Sequence, residues 1–414
     1  MEIEMITPET IQFAEISYNE LSTYYARDFL KPFEKLGEVD FKNGMYLNFN
    51  IQERENNRKI NPLLKIAIPE NAQEIVDMCN EAYEGTYPYR EMLDIEAVRE
   101  KINGLEYHWF LFKDTKDNTM GCFKFHLNFE ERKGYLGGFT VKKKYQGSVD
   151  VVKAMIGMMI GMINKYKEEI MMWYCENRTA HSKTQFMVLL CGLRPVAFYP
   201  NKDVFFNNVE SDLMEILYDE RVLRNYRTNQ TPEIIPEVKD CFDYSNDRYE
   251  LGLAKIVSPD IKMNLYKVLC IKKKIIKEVV KDKYGYEEVK ISLKDSDSYF
   301  KFLYTPTVKN FEKTIYKIKN IEELFVLVQE FKNYAKELNI RYYEVFVSAY
   351  EPEHQKIFLE SKLSPRGYVP SWKYNQEKDI FEDYILFNHY EGEIDRNIQL
   401  IPEGEELIRC LNLR

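Results

Sequence analysis

A short stretch between residues 138 and 152 carries the residue types of an anion-binding loop. It reads Gly-Phe-Thr-Val-Lys-Lys-Lys-Tyr-Gln-Gly-Ser-Val-Asp-Val-Val and joins a predicted strand to a predicted helix. A glycine-containing turn at the start of a helix exposes backbone N–H groups, which attract an anion together with the helix dipole. Three consecutive lysines, Lys142 to Lys144, precede the turn and could meet a polyphosphate, although they could also form a solvated turn. The stretch therefore predicts a phosphate site.

Regular elements surround this stretch between Leu63 and Tyr218. Alternating apolar residues indicate strands, and apolar residues at helical spacing indicate helices, in the order β-α-α-β-β-β-α-β-α-β-β. This order predicts an α/β protein with a mixed (α+β) sheet. The predicted strands cover 63–68, 107–113, 120–129, 134–141, 170–175, 196–199 and 212–218, and the predicted helices cover 71–83, 94–102, 151–166 and 182–190.

The first 60 residues are predicted to form an arm rather than a full domain. Apolar residues between Pro8 and Leu36 have helical spacing, and Asn43 to Ile51 has the composition of a short strand. The polar run 52–59 is a predicted linker. A second connection, with two prolines, is predicted over 227–236.

A weak repeat relates the two halves of the chain. Residues 184–200 align without a gap to residues 354–370, which lie 170 positions later. Similarity in a fixed register suggests two copies of one folding unit. The first pair of matched residues, Gln185 and Gln355, is predicted to bond the backbone beside a helix in both copies. The matched pairs are Gln185 and Gln355, Leu189 and Leu359, Leu193 and Leu363, Pro195 and Pro365, and Pro200 and Pro370.

The second copy lacks the phosphate-binding features of the first. Its strand at 311–318 and its helix at 321–338 are joined by residues that contain no glycine. Residues 315–321 read Ile-Tyr-Lys-Ile-Lys-Asn-Ile. The sequence therefore predicts one phosphate-binding copy and one copy without that site.

At these residues the chain resembles the GNAT (GCN5-related) N-acetyltransferase superfamily. That family's loop reads Gln/Arg-x-x-Gly-x-Gly/Ala, usually after Val-x-x-x-Tyr, and Val141, Tyr145 and Gln146 match it here. Gly147 occupies a position that is commonly small, and residues 192–198 resemble the family's C-terminal Gly-Phe motif. The loop departs from the pattern where Val149 and Val151 replace the signature glycine and the final Gly/Ala.

The resemblance implies two tandem GNAT-like domains after an N-terminal helical arm. The implied boundaries are 1–60 for the arm, 61–235 for the domain with the acyl-CoA loop, and 236–414 for a degenerate domain without that loop. A degenerate unit of this kind shapes the acceptor cleft or mediates association. The implied activity is transfer of an acetyl or other acyl group from acyl-CoA to an amine of a small molecule or a protein.

The resemblance also implies the residues that bind acetyl-CoA, the cosubstrate. The backbone of Phe139 and Val141 would bond the pantetheine arm, and N–H groups from Gly147 to Val151 would hold the pyrophosphate. The loop residues concerned are Gln146, Gly147, Ser148, Val149, Asp150 and Val151.

Catalytic residues are implied by position alone. Acyl transfer needs a base for the amine and an acid for the leaving thiolate. Many family members use a tyrosine on the helix after the fifth strand as the acid, but no tyrosine lies between residues 177 and 193 here. Glu176 is the candidate base, with an ion pair to Arg178 as its alternative role. His181 and Tyr145 are the candidate acids, and His181 could instead be a surface or capping residue.

Composition sets limits on partners and location. The net charge of -9 argues against a general nucleic-acid binder, because phosphate neutralisation needs concentrated positive charge. Seven dispersed cysteines without C-x-x-C or zinc spacing predict reduced thiols, no metal site and a cytoplasmic protein. The longest apolar run, 154–163, is too short to span a bilayer. We expect a primary-amine acceptor as partner and leave a homodimer open.

Two other functions fit parts of the same pattern. A Fem-type aminoacyl-tRNA-dependent transferase also pairs two GNAT-like units, but it lacks a CoA loop and needs a basic surface. The turn at Gln146 and Gly147 and the charge of -9 argue against it. A non-catalytic CoA sensor or scaffold is favoured by the missing tyrosine and by Val149.

Overall fold

The computed structural model describes residues 10–17, 41–52, 60, 62–149 and 151–413. The chain divides into two compact units. The first consists of residues 1–176 and 186–193, and the second of residues 177–185 and 194–414. Among the described residues, no helix is long and apolar enough to cross a bilayer.

A mixed sheet forms the centre of the first unit. Its strands lie in chain order, so each strand neighbours the next. The pairs β1–β2 and β6–β7 are parallel, and the other neighbouring pairs are antiparallel. The strands are β1 (Thr10–Ser17), β2 (Tyr46–Gln52), β3 (Leu63–Ile66), β4 (Tyr107–Lys113), β5 (Thr119–Asn128), β6 (Lys133–Val141) and β7 (Met172–Arg178), of which the last two residues belong to the second unit.

Helices α1 (Ala72–Tyr83) and α2 (Ile95–Asn103) pack on one face of this sheet. Their apolar residues form a core with Trp109 and Leu111 of β4 and with Cys122 of β5. The Asp94 carboxylate begins α2 by accepting the N–H groups of residues 96 and 97. Helix α3 (Val151–Lys165) follows β6 and is buried over residues 154–162, as its apolar composition predicts. Short 3₁₀ turns cover Pro69–Asn71, Arg90–Leu93 and Lys143–Tyr145.

The predicted helix of the N-terminal arm is wrong where the structure describes it. Residues Thr10–Ser17 form β1, which pairs in parallel with β2. Ile11 and Phe13 alternate with polar neighbours, a strand pattern that the wider helical spacing concealed. As a strand, this segment finds partners for its backbone N–H and C=O groups on β2, whereas a helix would pair those groups within itself. Residues 8–9 and 18–36 of the predicted helical stretch lie outside the described part of the chain.

The second unit contains the hairpin of β8 (Arg194–Phe205) and β9 (Asn208–Tyr218) and a seven-stranded mixed sheet. A two-stranded pair, β10 (Glu233–Ile234) with β11 (Lys255–Ile256), lies between them in sequence. The large sheet has the order β12-β13-β14-β15-β16-β18-β17. Its strands are β12 (Ile275–Lys281), β13 (Glu287–Leu293), β14 (Tyr299–Thr305), β15 (Asn310–Lys317), β16 (Tyr342–Ser348), β17 (Ser364–Asn375) and β18 (Ile380–Tyr390).

Helices of the second unit pack against this sheet and the hairpin. Helix α4 (Lys183–Leu190) starts in the second unit and ends in the first. The others are α5 (Lys239–Tyr249), α6 (Leu265–Lys272), α7 (Ile321–Glu337), α8 (Pro352–Glu360) and α9 (Pro402–Cys410), with single turns over Val222–Tyr226 and Pro236–Val238.

The 170-residue spacing holds for whole elements. β7 and β16 have equal length and begin at residues 172 and 342. β8 and β17 have equal length and begin at residues 194 and 364. Helices α3 and α7 begin at residues 151 and 321. The predicted order of elements from Leu63 to Tyr218 is confirmed.

The predicted structural role of the paired glutamines is confirmed. Gln355 is fully buried, and its amide donates to the carbonyls of Ser348 and Glu233, each at 3.0 Å. Its carbonyl accepts the N–H of Ile235 at 3.0 Å. One side chain thus bonds the end of β16 to the segment that leads into α5.

Gln185 makes the same three bonds with different partners. It is fully buried and donates to the carbonyls of Arg178 at 3.2 Å and Gln399 at 3.0 Å. Its carbonyl accepts the N–H of Ile401 at 3.1 Å. Both glutamines therefore bind an extended segment that ends in Ile-Pro and begins a helix, namely Pro236 in one case and Pro402 in the other.

Candidate functional site

Strands β6 and β7 separate soon after they begin. Within the described residues, their parallel pairing covers Lys133 with Met172, Gly134 with Trp173 and Tyr135 with Tyr174. β6 continues to Val141 and β7 to Arg178. The last pair places two tyrosine rings 5.1 Å apart at the point of separation. A gap between neighbouring strands leaves backbone groups of β6 facing a space rather than another strand.

A bulge interrupts β6 beside this gap. Thr140 pairs with Cys122 and Gly137 pairs with Lys124, so two residues of β6 oppose one residue of β5. Gly138 lies in the bulge with φ of +64°, a backbone conformation that favours glycine. Phe139, the other bulge residue, is half-buried. A bulge redirects backbone groups, and this one lies in the strand predicted to bind the pantetheine arm.

The Val141 carbonyl points away from β5. The N–H of Lys142 donates to the Met120 carbonyl on β5 at 2.9 Å. Because backbone groups alternate along a strand, those of Val141 face the opposite side. The side-chain amide of Gln146 donates to the Val141 carbonyl at 3.2 Å. Gln146 is exposed, so a ligand amide could replace it at this carbonyl.

The turn after β6 has the glycine conformation expected of an anion-binding loop. Gly147 has φ of +79°, and no atom lies within 4 Å of the position of a Cβ there. None of the described residues accepts the Gly147 N–H in a turn hydrogen bond. The Ser148 N–H, by contrast, donates to the Tyr145 carbonyl at 3.0 Å. Of these two predicted phosphate donors, Gly147 needs no rearrangement of the turn.

The end of the loop is held by backbone pairing with Ile60, a residue much earlier in the chain. The carbonyl of Ser148 accepts the N–H of Ile60 at 2.7 Å, and Val149 forms a parallel bridge with Ile60. The Val149 side chain is buried, which explains an apolar residue where the family pattern has glycine. Asp150 lies outside the described residues, and Val151 begins helix α3.

The three lysines before the turn have separate environments. The Lys143 ammonium lies 2.6 Å from the Glu84 carboxylate, and both side chains are exposed. The Lys144 ammonium lies 4.7 Å from the centre of the Tyr145 ring. Lys142 is half-buried. An exposed ion pair contributes little free energy, so Lys143 can exchange Glu84 for a phosphate at small cost.

The predicted catalytic residues are divided between the units. Glu176 lies on β7, is half-buried, and stands two residues beyond the last pair with β6. Tyr145 lies half-buried in the turn of the same unit. His181 belongs to the second unit and is exposed. Partial burial of its ring, followed by nearby Arg178, lowers the pKa of His181, so it is mainly neutral at pH 7 and better suited to accept a proton.

One titratable residue of this region was missed from sequence. Lys124 on β5 is half-buried opposite Gly137, with its methylenes against Gly138. Burial lowers its pKa to about 8, and Lys101 adds to that effect. The available signal was a lysine between two buried phenylalanines, Phe123 and Phe125, in an apolar strand.

Within the ranges that the structure describes, no group of three or more side chains could hold a metal ion.

No family model matches the sequence, and no curated protein is significantly similar to it. Solved structures of spermidine N-acetyltransferases from Vibrio cholerae are similar to part of the chain. The form in complex with CoA and spermine has 12% identity and a TM-score of 0.33, over 38% of this chain and 94% of that one. A dodecameric form has 12% identity and a TM-score of 0.32, over 39% and 95%. These values are too low to carry an argument about function.

Proposed function

We propose that this chain is an N-acyltransferase of the GNAT fold, which binds acyl-CoA between β6 and β7 and transfers the acyl group to a primary amine. The observation that carries the proposal is the succession of features along β6. The strand separates from β7, contains a bulge at Gly138, and ends in a left-handed turn at Gly147 before helix α3.

The residues of this region fit an extended ligand with a phosphate at one end. The Val141 carbonyl and the bulge residue Phe139 offer backbone groups to the amides of a pantetheine arm. The Gly147 N–H and the start of α3 offer donors to a pyrophosphate. Lys143 supplies positive charge once it leaves Glu84.

The proposed reaction uses acyl-CoA as the acyl donor. The amine nitrogen attacks the thioester carbonyl, the carbon–sulfur bond breaks, and the thiolate leaves. Glu176 is proposed to take the proton that the amine loses, because it stands beside the gap. Tyr145 and His181 remain the proposed acids for the thiolate, and the neutral state of His181 makes Tyr145 the better of the two.

The proposed domains follow the repeat. We assign residues 1–60 to the arm, 61–235 to the acyl-CoA domain and 236–414 to a GNAT-like domain without a CoA loop. The large sheet of the second unit supports the last assignment, because its β15 and β16 pair over only two residues before they separate. The acceptor is proposed to be a small or amino-acid-like amine.

Calorimetry with CoA and acetyl-CoA tests the proposal directly. We expect binding of one molecule per chain. Absence of binding at millimolar ligand would contradict the proposal. Release of free thiol from acetyl-CoA with a panel of amines then measures the transfer itself.

A CoA sensor without catalysis is the second candidate. It is favoured by helix α4, whose residues Lys-Thr-Gln-Phe-Met-Val-Leu-Leu include no tyrosine acid. CoA binding without thiol release, across primary amines of several classes, would select this candidate over the enzyme.

A further inference from the structure

Lys124 differs from the other buried lysines of the described chain. Its ammonium has no carboxylate within ion-pair distance among the described residues, and it donates a hydrogen bond to the Met92 sulfur at 3.2 Å. A half-buried ammonium without an ion pair is costly, which makes it a candidate for binding an anion. The three fully buried lysines are paired: Lys113 with Glu74 at 3.3 Å, Lys133 with Glu131 at 3.2 Å, and Lys202 with Glu344 at 3.6 Å.

Aromatic rings surround this ammonium on the face of the first sheet that carries α1 and α2. The Lys124 nitrogen lies 5.3 Å from the centre of the Trp109 ring and 5.9 Å from that of Tyr107. The two rings stack with their centres 5.6 Å apart. Such contacts stabilise a cation only partly, and most of the hydrogen-bonding capacity of the ammonium stays unused beyond its bond to Met92.

A second donor in the same cluster has no acceptor. The Trp109 side chain is 1% exposed, and its indole N–H has no hydrogen-bond partner in the described structure. Buried indole N–H groups are nearly always bonded. The cluster thus holds an indole N–H without an acceptor and an ammonium whose hydrogen bond goes to a weakly accepting sulfur, and both fit a ligand that brings carboxylate oxygens.

The other charges near Lys124 are of both signs. Lys101 on α2 lies 5.3 Å from the centre of the Tyr107 ring and lowers the pKa of Lys124. Glu91, in the turn between α1 and α2, raises it. The thiols of Cys79 and Cys122 are also near, and burial raises the pKa of each to about 12, so both are neutral. This mixture suits a ligand that carries both an amine and a carboxylate.

We propose that Lys124 and Trp109 bind the carboxylate of an amino-acid-like acceptor on the α1–α2 face of the first sheet. The inference rests on the proposed acyl transfer and names its substrate class. Lys124 lies opposite Gly137 and against Gly138, so a carboxylate held there brings the acceptor to the bulge beside the proposed acyl-CoA site. A polyamine, which has only positive charges, is disfavoured by the same ammonium.

The test compares amino acids with their carboxamides, which keep the amine and lose the carboxylate. Phenylalanine, methionine and glutamate, each with its α-carboxamide, and spermidine are titrated by calorimetry in the presence of CoA and in its absence. We expect at least one acid to bind about tenfold more tightly than its amide, since a charged hydrogen bond is lost in the amide. The same pairs are compared by kcat/KM in thiol release.

Lys124→Met removes the charge and keeps an unbranched apolar chain, so the fold should tolerate it. It should reduce the acid-to-amide preference to less than about threefold, while Lys124→Arg keeps part of it. Lys65→Met is the matched control, because Lys65 on β3 is also a half-buried lysine over an aromatic ring, 5.5 Å from the centre of Tyr46. It should leave the preference unchanged.

The outcomes separate this inference from the proposed function. If CoA does not bind, the acyltransferase proposal is wrong. The titrations of acids and amides without CoA would still show whether Lys124 and Trp109 bind a carboxylate. The carboxylate site would be overturned if acids and amides bound equally, or if spermidine bound best. It would also be overturned if the acid-to-amide preference survived Lys124→Met, or if no probe bound. CoA affinity should be the same in Lys124→Met and the unchanged chain.

Discussion

The gaps at β6–β7 and at β15–β16 have the same topology, but the helices that follow them begin with different residues. Each follows a short parallel pairing, and each leads to a helix that begins at equivalent positions, residues 151 and 321. At the first helix, a left-handed glycine turn presents the Gly147 N–H. At the second, the Asn320 side chain accepts the N–H of Glu323 at 3.1 Å, and Glu322 and Glu323 occupy the first turn.

The start of the second helix disfavours an anion. Its first-turn donor is already bonded, and two acidic residues repel a phosphate. Glu322 also pairs with Lys267 at 2.8 Å, which removes a cation from the site. Two copies of one backbone scaffold are therefore expected to differ in anion affinity, because a few residues at the helix start set that affinity.

The largest effect is expected on stability, when the buried glutamine that both copies share is replaced. Gln355→Ala and Gln185→Ala each remove three hydrogen bonds and leave buried backbone groups unpaired, which costs roughly 3 kcal/mol. Because the bonding is equivalent, urea denaturation should show similar losses of unfolding free energy in the two variants. Destabilisation by only one of them would break the structural equivalence of the copies.

The next largest effect is expected on turnover, when a carboxylate that only the first copy has at its gap position is replaced. Glu176 corresponds to Phe346, 170 residues later, whose ring lies 4.9 Å from Trp372. Glu176→Gln should lower kcat for thiol release about a hundredfold, because the proposed base is lost, and should leave CoA affinity unchanged. Parallel loss of turnover and CoA affinity would assign the residue a structural role.

The loop itself can be tested with a matched pair of glycines. Gly147→Val places a β-branched residue at positive φ and should weaken CoA binding about tenfold by distorting the turn. Gly252→Val imposes the same strain at φ of +90°, also with no atom near the new side chain. Both variants should lose similar stability in thermal melts, while calorimetry should find CoA binding impaired only in Gly147→Val. Equal CoA affinity in the two variants would refute the role of the turn.

The smallest effect, taken per pH unit, concerns the residues at which the strands separate. The first gap has Tyr135 and Tyr174 there, whereas Glu312 and Glu344 directly follow the last pair of the second gap. Burial raises the pKa of Glu312 from 4.5 to about 7, so the folded protein keeps a proton that the unfolded chain releases between those values. Glu312 therefore stabilises the fold less as pH rises through this range.

Glu312→Gln should flatten this dependence. Between pH 5 and pH 7, the free energy of unfolding of the unchanged chain should fall relative to the variant by on the order of 1 kcal/mol per pH unit. Urea midpoints measured at intervals across this range provide the comparison. A constant difference between the two proteins would mean that Glu312 does not titrate there.

Local pattern predicted most of the fold. Apolar spacing located the strands and helices from Leu63 to Tyr218, and the repeat located the buried glutamines, since both signals depend on neighbours in sequence. The same reasoning failed at β1, where Thr10–Ser17 pairs with a distant strand. Parallel pairing needs a partner far along the chain, and no local spacing reports it.

The sequence by itself determined the element order, the 170-residue repeat and the glycine turn at Gly147, because each follows from residue types at fixed separations. Only the tertiary structure decided that Gln355 bonds Ile235 while Gln185 bonds Ile401. It also decided that Lys124 lies among Met92, Trp109 and Tyr107, with no carboxylate of the described residues at ion-pair distance. Burial and hydrogen bonding between distant residues set those environments, since the cost of an unpaired polar group depends on what surrounds it.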